Sequence, residues 1–415
     1  MGIKWAEFYA LRVEGMKSSM IRELLKVTQE PDVISFAGGL PAPEIFPIKE
    51  CEEACCKVLR EEGALALQYS TTEGYLPLRR FVVEKMSRYG IKASEDNVLI
   101  TQGSQQALDL IGKLFIDPGD VILLEAPSYV GAIQAFTSYQ ARYVTVPIDD
   151  DGMRVELVEE VLRKSRPKFI YVLPNFQNPG GTTLPLERRK RLVELAEHHG
   201  IPLIEDDPYG ELRFEGEHIP SLVVLDAEGR DNAHGFFEGN VIYMSTFSKT
   251  LAPGLRLGWV VAPAEVVSKL VQAKQGADLH TTTLTQMVAY EMVRTGFLEG
   301  HVRKIREVYR ERRNVMLKAL EEYFPPGATW TRPQGGLFLW VTLPEEIDAM
   351  ELLKDAVEAK VAYVPGVAFY ADGRGQNSMR LNFSYSQPEM IEEGIRRLAR
   401  VVQRRLQPTM SRAAT

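Results

Sequence analysis

Lys249 stands in the stretch Ser245-Thr246-Phe247-Ser248-Lys249-Thr250-Leu251-Ala252-Pro253-Gly254-Leu255-Arg256, directly behind the apolar run Val241-Ile242-Tyr243-Met244. That run reads as a buried strand. The lysine therefore leaves a sheet at its carboxyl end, where open α/β sheets place their ligands. Hydroxyls flank it on both sides, and Arg256 follows seven residues later. An amine set among hydroxyls and a guanidinium suits a Schiff base to an aldehyde that carries a phosphate, and pyridoxal phosphate is such a group. A lone lysine after a strand is more often a solvated surface residue; here the flanking pattern and the partners elsewhere in the chain favour the chemistry.

Further stretches match it. In Thr101-Gln102-Gly103-Ser104-Gln105-Gln106 a strand gives way to Gly-Ser and then to a helix. Free N–H groups and the dipole at a helix start favour a phosphate, although Ser104 also suits a plain N-cap. Tyr129, in Glu125-Ala126-Pro127-Ser128-Tyr129, sits in a strand's exit loop, either to stack on a planar ring or as a half-buried loop tyrosine. Asn178 lies in Pro174-Asn175-Phe176-Gln177-Asn178-Pro179-Gly180-Gly181, a tight polar turn. An amide held that way can donate to a phenolate oxygen.

The strand ending in Glu205-Asp206-Asp207-Pro208-Tyr209 presents three carboxylates. Burying one is costly without a cation, and a protonated pyridine nitrogen is such a cation; Tyr209 could reach the ring hydroxyl beside it. Glu205 is expected to be solvated. Arg380 lies in the otherwise apolar run Met379-Arg380-Leu381-Asn382-Phe383. Its fork matches a carboxylate or phosphate, with a structural ion pair as the alternative.

The elements that must position these residues are βα in character. Apolar runs at 98–101, 121–125, 142–147, 169–173, 201–205, 241–245 and 257–262 alternate with helical patterns or turn signals. This predicts a mainly parallel seven-stranded sheet with helices on both faces. Helices are expected over 48–62, from Leu76 to about Tyr89, from Leu298 to Tyr323, over 349–360 and from Pro388 to Arg405. Residues 1 to about 30 read as an amphipathic helix with Ile21, Leu24 and Leu25 on one face. The expected division is an N-terminal arm and covering loop over 1–47, a large domain over 48–297 and a small α+β domain over 298–415.

The bulk numbers agree. A chain of 415 residues exceeds one ordinary core. It is 45% hydrophobic and 25% charged, as in soluble globular proteins. A net charge of −7 argues against nucleic acid or an anionic membrane as partner. No apolar run reaches the length of a membrane span, and the N-terminus lacks an apolar signal core; a cytoplasmic protein is expected. Cys51, Cys55 and Cys56 fall in one short helical segment with no histidine nearby, so no metal site is expected.

The series Gly-Ser-Gln-Gln, Asn-Pro-Gly-Gly, Asp-Asp-Pro-Tyr, Ser-Lys-Thr-Leu-Ala-Pro-Gly-Leu-Arg and Met-Arg-Leu-Asn-Phe falls in one order across about 280 residues. It resembles the class I aminotransferases of PLP fold type I. The loop Ser35-Phe36-Ala37-Gly38-Gly39-Leu40-Pro41 makes it most similar to the 2-aminoadipate and aromatic aminotransferase branch. The resemblance implies that Lys249 is the Schiff-base lysine and that Asp206, rather than Asp207, pairs with the pyridine nitrogen. It places Asn178 and Tyr209 at the ring oxygen, Tyr129 on the ring face, and Ser104, Gln105, Thr246, Ser248 and Arg256 at the phosphate. Arg380 and Asn178 then hold the substrate carboxylate, with Gly39 over the substrate. Tyr69 resembles a tyrosine that reaches the phosphate of a neighbouring subunit, which implies a homodimer. Gly180 departs from the threonine that many relatives carry after Asn-Pro.

The expected function is amino-group transfer between an L-amino acid of 2-aminoadipate, aromatic or branched-chain type and a 2-oxo acid, 2-oxoglutarate in first place. The alternatives are another PLP-dependent lyase or synthase, and an effector-binding module of the same fold.

Overall fold

In the computed structural model, which describes residues 2–16, 32–228, 230 and 237–406, the chain begins with two separate 3-10 turns, Trp5–Phe8 and Leu11–Gly15. The helix expected over residues 1 to about 30 is not formed in this part. Neither turn buries a residue, so a helix here would gain no packing, and short unpacked helices are marginal in water. Its expected face of Ile21, Leu24 and Leu25 lies outside the described residues.

After β1 (Ile34–Ser35) comes the large sheet, of β2 (Val98–Thr101), β3 (Val121–Ala126), β4 (Arg142–Asp149), β5 (Gly152–Met153), β6 (Ile170–Val172), β7 (Leu203–Asp206), β8 (Val241–Thr246) and β9 (Gly258–Val261). The order is β2-β9-β8-β7-β6-β3-β4-β5. All seven expected strands are present. The eighth, β5, is a two-residue antiparallel return on β4, too short to show a period. Strands β4, β3, β6, β7 and β8 run parallel, and β9 runs antiparallel between β8 and β2.

Every residue of β2, β6, β7, β8 and β9 is buried, as a sheet covered on both faces requires. Alternate residues feed two cores. Leu99, Ile204, Ile242 and Met244 join one of them, and Ile100, Leu203, Val241 and Tyr243 join the other. The helices of this part are α1 (Ile48–Ala66), α2 (Leu76–Ser87), α3 (Ser104–Phe115), α4 (Val130–Thr137), α5 (Val158–Lys164), α6 (Leu186–His199), α7 (Leu222–Glu228), α8 (Ala264–Gln275) and α9 (Thr283–Val293).

The long helix α10 (Phe297–Tyr323) leads into β10 (Thr329–Trp330), β11 (Phe338–Thr342), α11 (Ala349–Glu358), β12 (Val361–Ala362), β13 (Val364–Pro365), β14 (Ser378–Asn382) and α12 (Pro388–Leu406). Here the sheet is antiparallel, in the order β10-β11-β14-β13. β1 pairs in parallel with β12, Ile34 opposite Val361, and this pairing brings the Ala37–Leu40 loop to the Arg380 strand. No helix among the described residues is long and apolar enough to cross a membrane.

Candidate active site

The carboxyl ends of the parallel strands point one way, and Tyr129, Asn178, Asp206 and Lys249 each lie at or just beyond one of them. Together with loop and small-sheet residues they line a cleft of about 450 Å³.

Asp206 is the last residue of β7 and is only 2% exposed. Its Oδ2 accepts the Tyr171 hydroxyl at 2.7 Å. Its Oδ1 is buried with no hydrogen-bond partner among the described residues. Burial pushes the carboxyl up to about 7, Asp207 adding to the rise and the Tyr171 hydrogen bond opposing it. Asp207 faces elsewhere: its carboxylate accepts from Asn175 Nδ2 at 2.9 Å and the Tyr243 hydroxyl at 3.2 Å. Glu205 is not solvated as expected. It is fully buried and accepts the Leu222 and Val223 backbone N–H groups, each at 2.9 Å. Strand alternation turns it to the face opposite Asp206, where the start of α7 supplies free donors.

Lys249 follows β8 and donates from Nζ to the Gly39 carbonyl at 3.1 Å. Burial pushes its ammonium down to about 8, with the positive charges of Arg380 and Arg256 adding to the effect. Arg380, on β14, is 2% exposed. Its Nη1 donates to Asn178 Oδ1 at 2.9 Å and its Nη2 to the Ala37 carbonyl at 2.7 Å, while Nε has no partner among the described residues. The guanidinium lies 4.1 Å from the Phe338 ring centroid and 4.9 Å from that of Phe369. Both acceptors are neutral, so Arg380 makes no ion pair among the described residues. Burial pushes the guanidinium down to about 10.

At the other end of the cleft Ser104 opens α3, behind Gly103 at φ +71°. A Cβ on Gly103 would come 2.5 Å from Arg256 Nη2, and one on Gly258 would come 2.8 Å from the Ser104 nitrogen. The glycines thus let the guanidinium and β9 close on this turn. Thr246 Oγ1 lies 2.9 Å from Ser248 Oγ and donates to the Leu257 carbonyl at 2.8 Å. Gln105 donates to the Gly131 carbonyl at 2.9 Å. Tyr129 and Tyr209 also line the cleft; burial raises both phenols, Tyr129 to about 12.

A cleft with a depressed amine, an orphaned buried carboxylate oxygen and two guanidiniums has counterparts among known proteins. The family model for aminotransferase class I and II matches residues 42–398. The chain belongs to this family. It is 48% identical to aromatic-amino-acid aminotransferase 1 of Thermococcus litoralis, over 96% of this chain and 95% of that protein. It is 48% identical to the 2-aminoadipate transaminase of Thermus thermophilus, over 96% of this chain and 98% of that one. The structure of the α-aminoadipate aminotransferase LysN, also of Thermus thermophilus and complexed with N-(5'-phosphopyridoxyl)-L-leucine, superposes with a TM-score of 0.90 at 46% identity, covering 97% of this chain and 99% of that one.

This aminotransferase has PLP fold type I, and its cofactor is pyridoxal 5'-phosphate. The cleft fits the cofactor. The orphaned Asp206 Oδ1 can take a ring N–H, and the turn closed by Gly103, Gly258 and Arg256 can take a phosphate. All the site residues expected from the sequence line the cleft except Tyr69, which is 78% exposed and packs edge-on against His280 at 5.9 Å between ring centroids. Phe338 and Tyr171 escaped the sequence reading, because each sits in an apolar strand that explains it as core. The signal in Tyr171 was its hydroxyl, which a buried strand must satisfy.

Proposed function

We propose that this aminotransferase moves an amino group between an L-amino acid of 2-aminoadipate, aromatic or branched-chain type and 2-oxoglutarate. The observation carrying the residue roles is that Lys249, the orphaned Oδ1 of Asp206 and the Arg380 fork, which meets no acid among the described residues, line one cleft. Asp206 would hold the cofactor ring nitrogen, Asn178 and Tyr209 its ring oxygen, and Tyr129 its face. Ser104, Gln105, Thr246, Ser248 and Arg256 would hold its phosphate. Bound there, the cofactor supplies an electron sink for the substrate's α-carbon.

The chain's own residues do the rest. Arg380 takes the substrate carboxylate in its fork and Asn178 steadies the guanidinium, which fixes the direction of the Cα–H bond. The Lys249 amine, depressed toward neutrality, would take the proton from the substrate's α-carbon and hold it on Nζ for its return. Gly39, whose carbonyl Lys249 touches, covers the substrate. Tyr69, exposed on the single chain, would serve the phosphate of a second subunit in a homodimer. Relatives that act on aromatic and 2-aminoadipate substrates support the donor class. We take the cytoplasm as the compartment, and residues 1–47, 48–297 and 298–415 as arm, large and small domain.

The test is a panel of amino donors offered with 2-oxoglutarate and scored by oxo-acid and glutamate formation. Aromatic, branched-chain and 2-aminoadipate donors should react, each needing the acceptor. Product formed well beyond one equivalent per enzyme without an acceptor would instead assign a lyase.

A further inference from the structure

Gln106 ends the Gly-Ser-Gln-Gln motif, and nothing in the cleft uses it. Its side chain turns away, to Lys274 on α8. The Lys274 side chain has 0% exposure. Its ammonium donates to Gln106 Oε1 at 2.7 Å and to both carboxylate oxygens of Asp278 at 2.8 Å. Gln106 Nε2 donates to Asp278 Oδ2 at 2.6 Å, and Gln106 Oε1 also receives the backbone N–H of Gln102 at 2.8 Å.

Burying an ammonium is costly unless every donor is met, and these three residues meet them in a closed ring. Among the described residues the ring's one outlet is the Gln102 N–H, immediately before Gly103. On its other side the same turn is pinned by Arg256 against Gly103 and by Gly258 against the Ser104 nitrogen. The turn is thus held by Arg256, which lines the cleft, and by the Lys274 ring, which does not.

We propose that Gln106, Lys274 and Asp278 position the Gln102–Ser104 turn and thereby set the affinity for the cofactor's phosphate group. They act through the turn and not by touching the cofactor. The proposal rests on the phosphate reading of Ser104 and Arg256 given above. A hydrogen bond to a charged partner orients its neighbour more tightly than a neutral one, so the buried ammonium stiffens Gln106 where a neutral partner would not.

The test is titration of apoprotein with pyridoxal 5'-phosphate and, separately, with pyridoxal, which lacks the phosphate, with binding read by tryptophan fluorescence. Gln106→Leu and Lys274→Met should each raise the Kd for pyridoxal phosphate about tenfold and leave that for pyridoxal within about twofold. If Lys274→Met does not fold, the half-buried Gln106 still carries the test. Equal weakening of both ligands, or of neither, would overturn the proposal. Arg256→Ala is the reference: it should weaken pyridoxal phosphate alone. If it weakened both alike, the phosphate reading would fall first, and this proposal with it.

Discussion

Arg380 keeps its charge in an apolar seat against Phe338 and Phe369, with two neutral acceptors and no acid partner among the described residues. A buried guanidinium in that condition is prepared for an anion. Arg380→Lys keeps the charge but loses the planar fork. It should raise the KM for the amino donor on the order of 10²-fold while leaving pyridoxal phosphate affinity nearly unchanged; equal loss of both would place the residue at the cofactor. Lys249 carries a pH prediction. Its folded pKa is lowered to about 8 by burial, then by Arg380 and Arg256. Only the neutral amine attacks an aldehyde, so cofactor uptake by the apoprotein should quicken as pH rises through about 8 and level off above it. A rate flat across that window would contradict the depressed amine. Both residues were legible in the sequence, because a charge inside or ending an apolar run has few cheap explanations. Glu205 was not. Three acids in a row look alike in the sequence, and only strand alternation and the approach of α7 separate one buried against a helix start from one aimed at the cleft.

At the scale of elements, the strand exits carry the site, and some of their buried polar groups brace it. Glu125, in β3, accepts the Leu173 N–H at 3.1 Å and Gln177 Nε2 at 3.3 Å. Gln177 in turn donates to the Pro127 carbonyl at 2.8 Å and receives the Gly180 N–H at 2.6 Å. This ties the loop of Tyr129 to the turn of Asn178. Burial pushes the Glu125 carboxyl up to about 8. The folded protein therefore holds a proton that the unfolded chain releases above its ordinary carboxylate pKa, and stability contributed by this group falls as pH rises from about 4.5 to about 8. Glu125→Gln removes that penalty. By denaturant unfolding it should gain on the order of 1–3 kcal/mol over wild type at pH 8 and little at pH 5. A gain independent of pH would contradict the shifted carboxyl. The strands themselves were readable from apolar runs and turn signals. The two-residue β5 was not, nor the pairing of β1 with β12, which joins residues far apart in the chain. Over residues 2–16 two 3-10 turns that bury none of their own residues stand where the sequence pattern predicts a helix.

For the molecule as a whole, the cleft is shared between the strand exits of the large sheet and the antiparallel sheet that carries Phe338 and Arg380. The loop ahead of α1 joins them through Gly39. Everything proposed for the function depends on Lys249 being the residue that the cofactor joins. The direct measurement is borohydride reduction of the holoprotein followed by peptide mass mapping. A phosphopyridoxyl mass on the peptide containing Lys249, and its loss in Lys249→Ala, is the predicted result. A label on another lysine, or none in protein that has bound the cofactor, would contradict the assignment.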